Sequence, residues 1–174
     1  LKEEIPYENG VINGVYITYY ESGIVQSAVD YINGERRGMI KEYYPDGHLK
    51  LETVIKDGRK NGLVVSYYED GSLKSIGNYV NDILDGDYKE YHKNGLLEYE
   101  VTYDMGEITG KKNSYYDNGA FKKVENYYKG KLDSWVRIYY PNGNIQREEY
   151  YKEGKLLRSK DFNEQGFLVS KSGY

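Results

Sequence analysis

The side chains that could perform acid–base or metal chemistry in this sequence are few and scattered. Neither of its two histidines, His48 and His92, has a second ligand at a spacing that would hold a metal ion. Carboxylates such as Asp85 and Asp87 flank a glycine in a turn-like segment, where a solvated charge is the ordinary role. Cysteine is absent, and no Gly-x-Ser-x-Gly sequence supplies a nucleophile. We therefore expect no enzymatic activity, no metal and no cofactor.

Tyrosine is the residue type that could carry recognition, because its ring offers apolar area and its hydroxyl a polar tip. The chain has 174 residues and 23 tyrosines, 17 of which recur at fixed places in a period of 24 residues. A strict period of this length indicates an array of stacked supersecondary units. Six repeats open at Gly14, Gly38, Gly62, Gly86, Gly110 and Ser134.

Numbering each repeat from its opening residue shows which positions are constant. Position 12 is always apolar, and position 18 is tyrosine in five repeats and Ile55 in the remaining one. Position 6 is always tyrosine: Tyr19, Tyr43, Tyr67, Tyr91, Tyr115 and Tyr139. Position 7, which we call the position-7 stripe, holds Tyr20, Tyr44, Tyr68, His92, Tyr116 and Tyr140. Position 10 is always glycine: Gly23, Gly47, Gly71, Gly95, Gly119 and Gly143.

The spacing within a repeat predicts a β-hairpin. Tyr-Pro-Asp-Gly at 44–47 and Tyr-Pro-Asn-Gly at 140–143 are typical of a type I turn closed by a glycine at positive φ. This turn pairs position 7 with 11 and position 6 with 12, which predicts that positions 6, 12 and 18 face the same side. A second turn, such as 31–34, returns the chain to the next repeat, so each strand is expected to hold roughly six or seven residues.

The fold class predicted is all-β: an elongated single-sheet antiparallel meander of 24-residue β-hairpin repeats, with about 13 or 14 strands. One repeat domain is expected to span residues 1–174, with a leading half repeat at 1–13 and a partial capping repeat at 158–174. The full repeats in between are 14–37, 38–61, 62–85, 86–109, 110–133 and 134–157.

The net charge of the chain and its first residue bear on its binding partners and its cellular location. A formal charge of −4 gives no basic footprint for nucleic acid, and no apolar run reaches the roughly 18 residues of a membrane span. The chain starts at Leu1 rather than at methionine, which is compatible with an exported protein whose signal has been removed. An exported or cell-envelope location is therefore slightly favoured over the cytoplasm.

The pattern Tyr-x-x-Gly-x-x-x-Gly, present at 31–38 and 103–110, resembles MORN repeats. The longer form, with two adjacent tyrosines, a glycine three residues later and then an apolar residue, looks most like the bacterial MORN-variant family. Some proteins of that family are labelled antitoxins. The resemblance covers essentially the whole chain. It implies antiparallel hairpins and a role in protein association, scaffolding or dimerisation, in some cases near a membrane, and it transfers no catalytic residues.

The two adjacent tyrosines of each repeat are expected to have different roles. Position 6, which has apolar residues at 12 and 18 beside it, is assigned to packing, and the position-10 glycines are assigned to the turns. Position 7 accepts His92 and has polar neighbours such as Glu42 and Ser66 at position 5. The position-7 stripe is therefore assigned to partner binding, since tyrosine is a favoured interface residue.

The function expected is a non-enzymatic repeat scaffold that mediates protein–protein interaction. A protein partner is expected, a homodimer and contact with a membrane surface are left open, and no nucleic acid is expected. Two alternatives also stay open. One is a cell-wall module that binds glycans or choline through aromatic rings, although such repeats are usually shorter and rich in tryptophan, and this chain has one tryptophan. The other is an antitoxin-like protein that neutralises its partner.

Overall fold

A computed structural model describes residues 2–173, and every regular element in that range is a β-strand. The chain divides into two compact halves, an N-terminal half ending at Leu84 and a C-terminal half starting at Asp85. The strands up to residue 80 are β1 (Glu3–Glu4), β2 (Tyr7–Glu8), β3 (Val11–Ile12), β4 (Gly14–Tyr19), β5 (Val25–Ile32), β6 (Glu35–Tyr43), β7 (Leu49–Lys56), β8 (Arg59–Tyr67) and β9 (Leu73–Val80). The later strands are β10 (Ile83–Tyr91), β11 (Leu97–Asp104), β12 (Glu107–Tyr115), β13 (Phe121–Tyr128), β14 (Lys131–Leu132), β15 (Ser134–Tyr139), β16 (Ile145–Lys152), β17 (Lys155–Phe162) and β18 (Leu168–Ser172).

Within each half the strands lie in chain order, and each is antiparallel to its neighbour. The first half runs β1, then β4 to β9, with β2 and β3 paired separately; the second runs β10 to β13 and β15 to β18, with β14 paired to β13. The predicted all-β antiparallel meander is confirmed. Four of the 18 strands found in residues 2–173 are only two residues long, which leaves the 14 longer strands that the repeat predicts. No helix of the described residues is long and apolar enough to cross a membrane.

The first turn of each repeat has the predicted geometry. In repeat two the amide of Tyr44 donates to the carbonyl of His48 at 2.8 Å, and the amide of Gly47 donates to the carbonyl of Tyr44 at 2.9 Å. Gly47 has a φ of 93°, in the left-handed region that only glycine adopts without strain. Tyr43 at position 6 pairs with Leu49 at position 12, so the predicted register at this turn is confirmed.

The second turn contains only two residues outside the ladder. In repeat one, Ile32 pairs with Glu35, and the residues between them, Asn33 and Gly34, have φ values of 51° and 83°. Two successive positive φ values define the type I′ turn that joins twisted antiparallel strands tightly. Because this turn is so short, most full strands reach eight or nine residues instead of the six or seven expected.

A bulge at the opening residue of the repeat explains the glycine at position 1. Val29 pairs with Ile40 and Tyr31 with Arg36, so Asp30 alone faces residues 37–39. Gly38 has a φ of 115°, and a Cβ there would lie 2.6 Å from a carboxylate oxygen of Asp30. That carboxylate accepts a hydrogen bond of 2.7 Å from the amide of residue 39, which the bulge leaves without a ladder partner.

A second bulge places position 6 on the opposite side of the sheet from position 18. In repeat two, position 5 pairs with position 14 but position 6 pairs with position 12, so Lys50 at position 13 is the extra residue. Since side chains alternate along a strand, position 6 lies opposite to positions 5, 14, 16 and 18. Positions 6 and 12 do pack together, as the stacked rings of Tyr115 and Phe121 show. The expectation that position 18 shares their face is wrong.

The buried side chains lie on the side that carries positions 3, 5, 14, 16 and 18, which we call the buried face. They include Thr53, Ile55 and Val64 in the first half, and Val101 and Val136 in the second. The opposite side, which carries positions 2, 4, 6, 15 and 17, we call the open face. All but one of the buried side chains just named sit at positions 3 and 16, which pair directly across neighbouring strands.

Candidate functional site

The position-7 stripe joins neighbouring repeats through its hydroxyl groups. Each described hydroxyl bond runs to the backbone carbonyl of the residue at position 6 in the next repeat, or to its counterpart in the partial repeat. The bonds are Tyr20 to Tyr43 at 2.7 Å, Tyr44 to Tyr67 at 2.9 Å, Tyr116 to Tyr139 at 2.7 Å and Tyr140 to Phe162 at 2.9 Å. These carbonyls lie at strand ends, so the stripe holds one hairpin against the next in addition to the sheet ladder.

His92 takes the same place in its repeat. Its Nε2 lies 3.2 Å from the carbonyl oxygen of Tyr115, and a proton on Nε2 lets the ring donate in place of the missing hydroxyl. The other histidine, His48, also contacts a backbone carbonyl, that of Glu69, at 2.7 Å from Nδ1. Across residues 2–173, no three His, Cys, Asp or Glu side chains are grouped so that they could hold a metal ion.

The rings of the position-7 stripe are half-buried on the buried face. Lysines at position 13 lie over two of them: the Nζ of Lys74 is 5.7 Å from the ring centre of Tyr68, and that of Lys122 is 5.8 Å from Tyr116. A cation over an aromatic ring is attracted by its negative face, so these rings are partly covered by the chain itself. Their role in partner binding stays a prediction.

The position-6 tyrosines lie on the open face, and two of them bond to carboxylates at position 15. The hydroxyl of Tyr67 donates to Glu52 at 3.2 Å, and that of Tyr115 donates to Glu100 at 3.0 Å. Burial, and then the hydrogen bond with Glu100, raise the pKa of Tyr115 to about 12. These rings therefore pack and bond within the sheet.

The position-10 glycines share one backbone conformation, with φ values between 82° and 93°. A Cβ built on Gly71 would meet no atom within 4 Å. A side chain would therefore fit at this turn, and glycine is preferred because of its left-handed φ.

An exposed row of apolar side chains crosses the open face of the N-terminal half, and sequence reasoning did not single it out. It consists of Val15, Met39 and Leu63 at position 2 and Val54 at position 17, with exposed fractions of 47%, 43%, 55% and 40%. Met39 and Val54 pair directly between β6 and β7, and Leu63 lies on the next strand, β8. Asp30 on β5 lies between Met39 and Val15. We call these four residues the apolar row. The neighbouring positions 4 and 15 add the half-buried Ile17, Ala28, Val65 and Ile76, beside Lys41 and Glu52.

Two of the same positions in the C-terminal half carry charge. Position 2 is Asp87 in repeat four and Lys111 in repeat five, and both side chains are exposed. A shallow pocket of about 280 Å³ on this part of the chain is lined largely by polar groups, including Lys89 and Glu100. An apolar residue at position 2 is therefore not a requirement of the fold. The difference between the halves at position 2 is visible in the sequence. A search for positions that are constant in every repeat does not find it, because the residue type at position 2 changes between the repeats.

Comparison with known proteins identifies the repeat. The profile described as MORN repeat variant matches residues 12–33, 36–57, 60–81, 84–105 and 136–153. These segments cover more than half of the chain and follow the 24-residue period of the hairpins. No curated protein gives a significant match to the chain. With its tyrosine and glycine positions, its two turns and its matched segments in agreement, the chain belongs to the MORN repeat variant family.

Proposed function

We propose that this chain is a non-enzymatic scaffold that binds a protein partner through the apolar row of its N-terminal half. The observation that carries the proposal is the exposure of Met39, Val54 and Leu63 on three consecutive strands, with Val15 two strands away beyond Asp30. Two of the equivalent positions in the C-terminal half, Asp87 and Lys111, are charged. MORN repeats are in general interaction modules, and the two-stranded repeat leaves the open face free to differ from one repeat to the next.

The apolar row contributes little to the stability of the fold. Roughly half of each side chain stays in contact with water, so these residues give up much of the stabilisation that burial of an apolar side chain provides. A contiguous exposed apolar patch on a soluble protein marks an interaction surface more often than scattered single residues do. Methionine and leucine adapt to the shape of a partner, and covering them removes the exposed apolar area.

The apolar row and the position-7 stripe differ in the chemical groups that they expose to a partner. Hydroxyl groups of the stripe are engaged by backbone carbonyls, so only ring edges and faces remain available there. The apolar row has no hydrogen bonds to lose, and Lys41 and Glu52 beside it supply polar groups for a rim. A protein surface with an apolar centre and a mixed-charge margin fits this arrangement.

Site-specific photocrosslinking in the source organism tests the proposal. The photoreactive residue p-benzoylphenylalanine is placed at Leu63, or at Lys111, the position-2 site two repeats later, in otherwise unchanged chains. We expect a discrete crosslinked protein at Leu63, identified by mass spectrometry and rebound by the purified chain, and no such product at Lys111. Equal crosslinking at both sites, or none at Leu63 with good incorporation, contradicts the proposal.

A further inference from the structure

Three side chains on consecutive strands form a stacked group in the C-terminal half. Trp135 on β15 pairs with Tyr150 on β16, which pairs with Arg158 on β17. The indole and phenol rings meet edge to face with centres 5.2 Å apart. The guanidinium of Arg158 lies 4.9 Å from the centre of the indole and 4.7 Å from the centre of the phenol ring. Arg158 thus occupies the row that is apolar in the other half.

The guanidinium of Arg158 is held by rings and by no acceptor. Among residues 2–173 it has neither a hydrogen bond nor an ion pair, although a guanidinium carries five N–H donors. Two nearby acidic residues are engaged elsewhere: Glu148 on β16 with Arg137 at 3.0 Å, and Asp133, just before β15, with Lys152 at 3.2 Å. Arg158 is also exposed, so its donors point to solvent or to an incoming group.

Contact with two aromatic rings restricts the position of the guanidinium and leaves its N–H donors without a protein acceptor. An arginine in this state loses little side-chain freedom when it binds, and its planar fork matches both oxygens of a carboxylate. Lysine could not replace it, because an ammonium group is a point charge without the fork. Lys160 is a second cation on the same strand as Arg158.

We propose that Arg158, oriented by Trp135 and Tyr150, is a binding site for an acidic side chain of a protein partner. The site lies in the half of the chain that lacks the apolar row, so it does not depend on the function proposed above. A glutamate that pairs with Arg158 would bring its methylene groups close to the half-buried indole of Trp135. The site would therefore prefer an acidic peptide to a bare anion.

Trp135 provides a direct readout, because it is the only tryptophan of the chain and gives a single indole N–H resonance in NMR. The probe is an acetylated and amidated peptide with three consecutive glutamates, titrated into the full chain. We expect a saturable shift of the indole resonance. Arg158→Gln should weaken binding roughly tenfold or more, since it removes a charged hydrogen-bonding partner. Arg158→Lys, which keeps the charge, should also weaken it.

Lys155→Gln is the matched control, because it removes one exposed cation from the same strand and should change binding less than twofold. Thermal unfolding of each variant shows whether the fold is kept, and Arg158→Lys serves if Arg158→Gln is unstable. Three outcomes overturn the proposal: an unchanged titration for both Arg158 variants, an equal loss for Lys155→Gln, or equal binding of a glutamine peptide. Inorganic phosphate that binds as tightly as the peptide would show a general anion site and also overturn it.

Discussion

The hydroxyl of Tyr44 donates a hydrogen bond of 2.9 Å to the backbone carbonyl of Tyr67, a residue 23 positions later in the chain. The same relation joins Tyr116 to Tyr139 in the C-terminal half. A side chain that bonds the backbone of the next repeat makes the stability of one hairpin depend on its neighbour. Nearest-neighbour coupling of this kind is what holds a repeat array together.

Removal of that hydroxyl should lower stability. Tyr44→Phe and Tyr116→Phe keep the ring and lose the donor, and each should reduce the free energy of unfolding by about 0.5–1.5 kcal/mol. Tyr128→Phe is the control, because the Tyr128 ring is exposed and its hydroxyl donates no bond within the described chain. Thermal or denaturant unfolding measures all three. Equal midpoints for the position-7 variants and the control would show that the bond contributes nothing.

Replacement of the buried hydroxyl of Thr53 should increase the stability of the fold. Thr53 is buried between Ile40 and Val64, and its Oγ1 has no hydrogen-bond partner among the described residues. Valine has the same shape, and Val101 occupies this position in repeat four. Thr53→Val should stabilise the chain by about 1 kcal/mol, because an unsatisfied buried polar group is removed. Denaturant unfolding with an unchanged slope measures this, and a lower midpoint would contradict it.

The second turn of repeat four carries a strained residue. Met105 has a φ of 47° at the first turn position, where repeats one and three have Asn33 and Asn81. Its side chain is 78% exposed, so little packing is lost on replacement. Met105→Asn should raise the thermal midpoint, with a gain of roughly 0.5–1 kcal/mol, because asparagine tolerates the left-handed conformation. A lower midpoint for this variant would show that Met105 is held by contacts and not merely tolerated.

The fold should weaken in alkali. Burial raises the pKa of Tyr115 and of Tyr127 to about 12, with hydrogen-bonded glutamates adding to the shift. An unfolded tyrosine ionises near pH 10, so the unfolded chain releases its protons first. The stability that these groups contribute is present below about pH 10 and is lost as the pH rises to about 12.

Thermal midpoints measured from neutral pH to about pH 11 test this dependence. We expect a steepening decline above about pH 10, and a smaller decline for Tyr115→Phe, which cannot ionise. The Tyr128→Phe variant, in which an exposed ring is changed, should decline as the unaltered chain does. A midpoint that stays flat across this range would contradict the expected dependence.

The sequence predicts the elements of this fold well because each has a local cause. The period defines the repeat, and the Tyr-Pro-Asp-Gly segment at 44–47 specifies both a turn and the pairing of Tyr43 with Leu49. What it does not predict is which residues share a face beyond the next bulge. One extra residue at position 13 inverts the alternation of side chains between the two faces of the sheet. The residue type of Lys50 gives no indication that a bulge forms there.

The proposed binding surface was harder to predict for a different reason. Constant positions such as Tyr44 suggest a binding role in the sequence. In a repeat array, however, they are the positions that join each repeat to its neighbour. The exposed apolar residues, such as Met39, vary between the two halves and so look like drift. Their adjacency depends on the bulge at Val54, which faces residues 61–63 of the next strand and pairs with Met39 on the other side. The binding role of the position-7 stripe remains a prediction alongside the apolar row.

The most direct test of the central claim places the photoreactive residue at Val54 and changes its two neighbours, Met39 and Leu63, to lysine. Lysine occupies the same position at Lys111, so the fold accepts it. We predict that the double variant keeps its thermal midpoint within a few degrees and loses the crosslinked partner. A large fall in the midpoint would make the apolar row a folding element. Retention of the crosslink at full yield would show that the apolar row is not part of the interface. Either result contradicts the account.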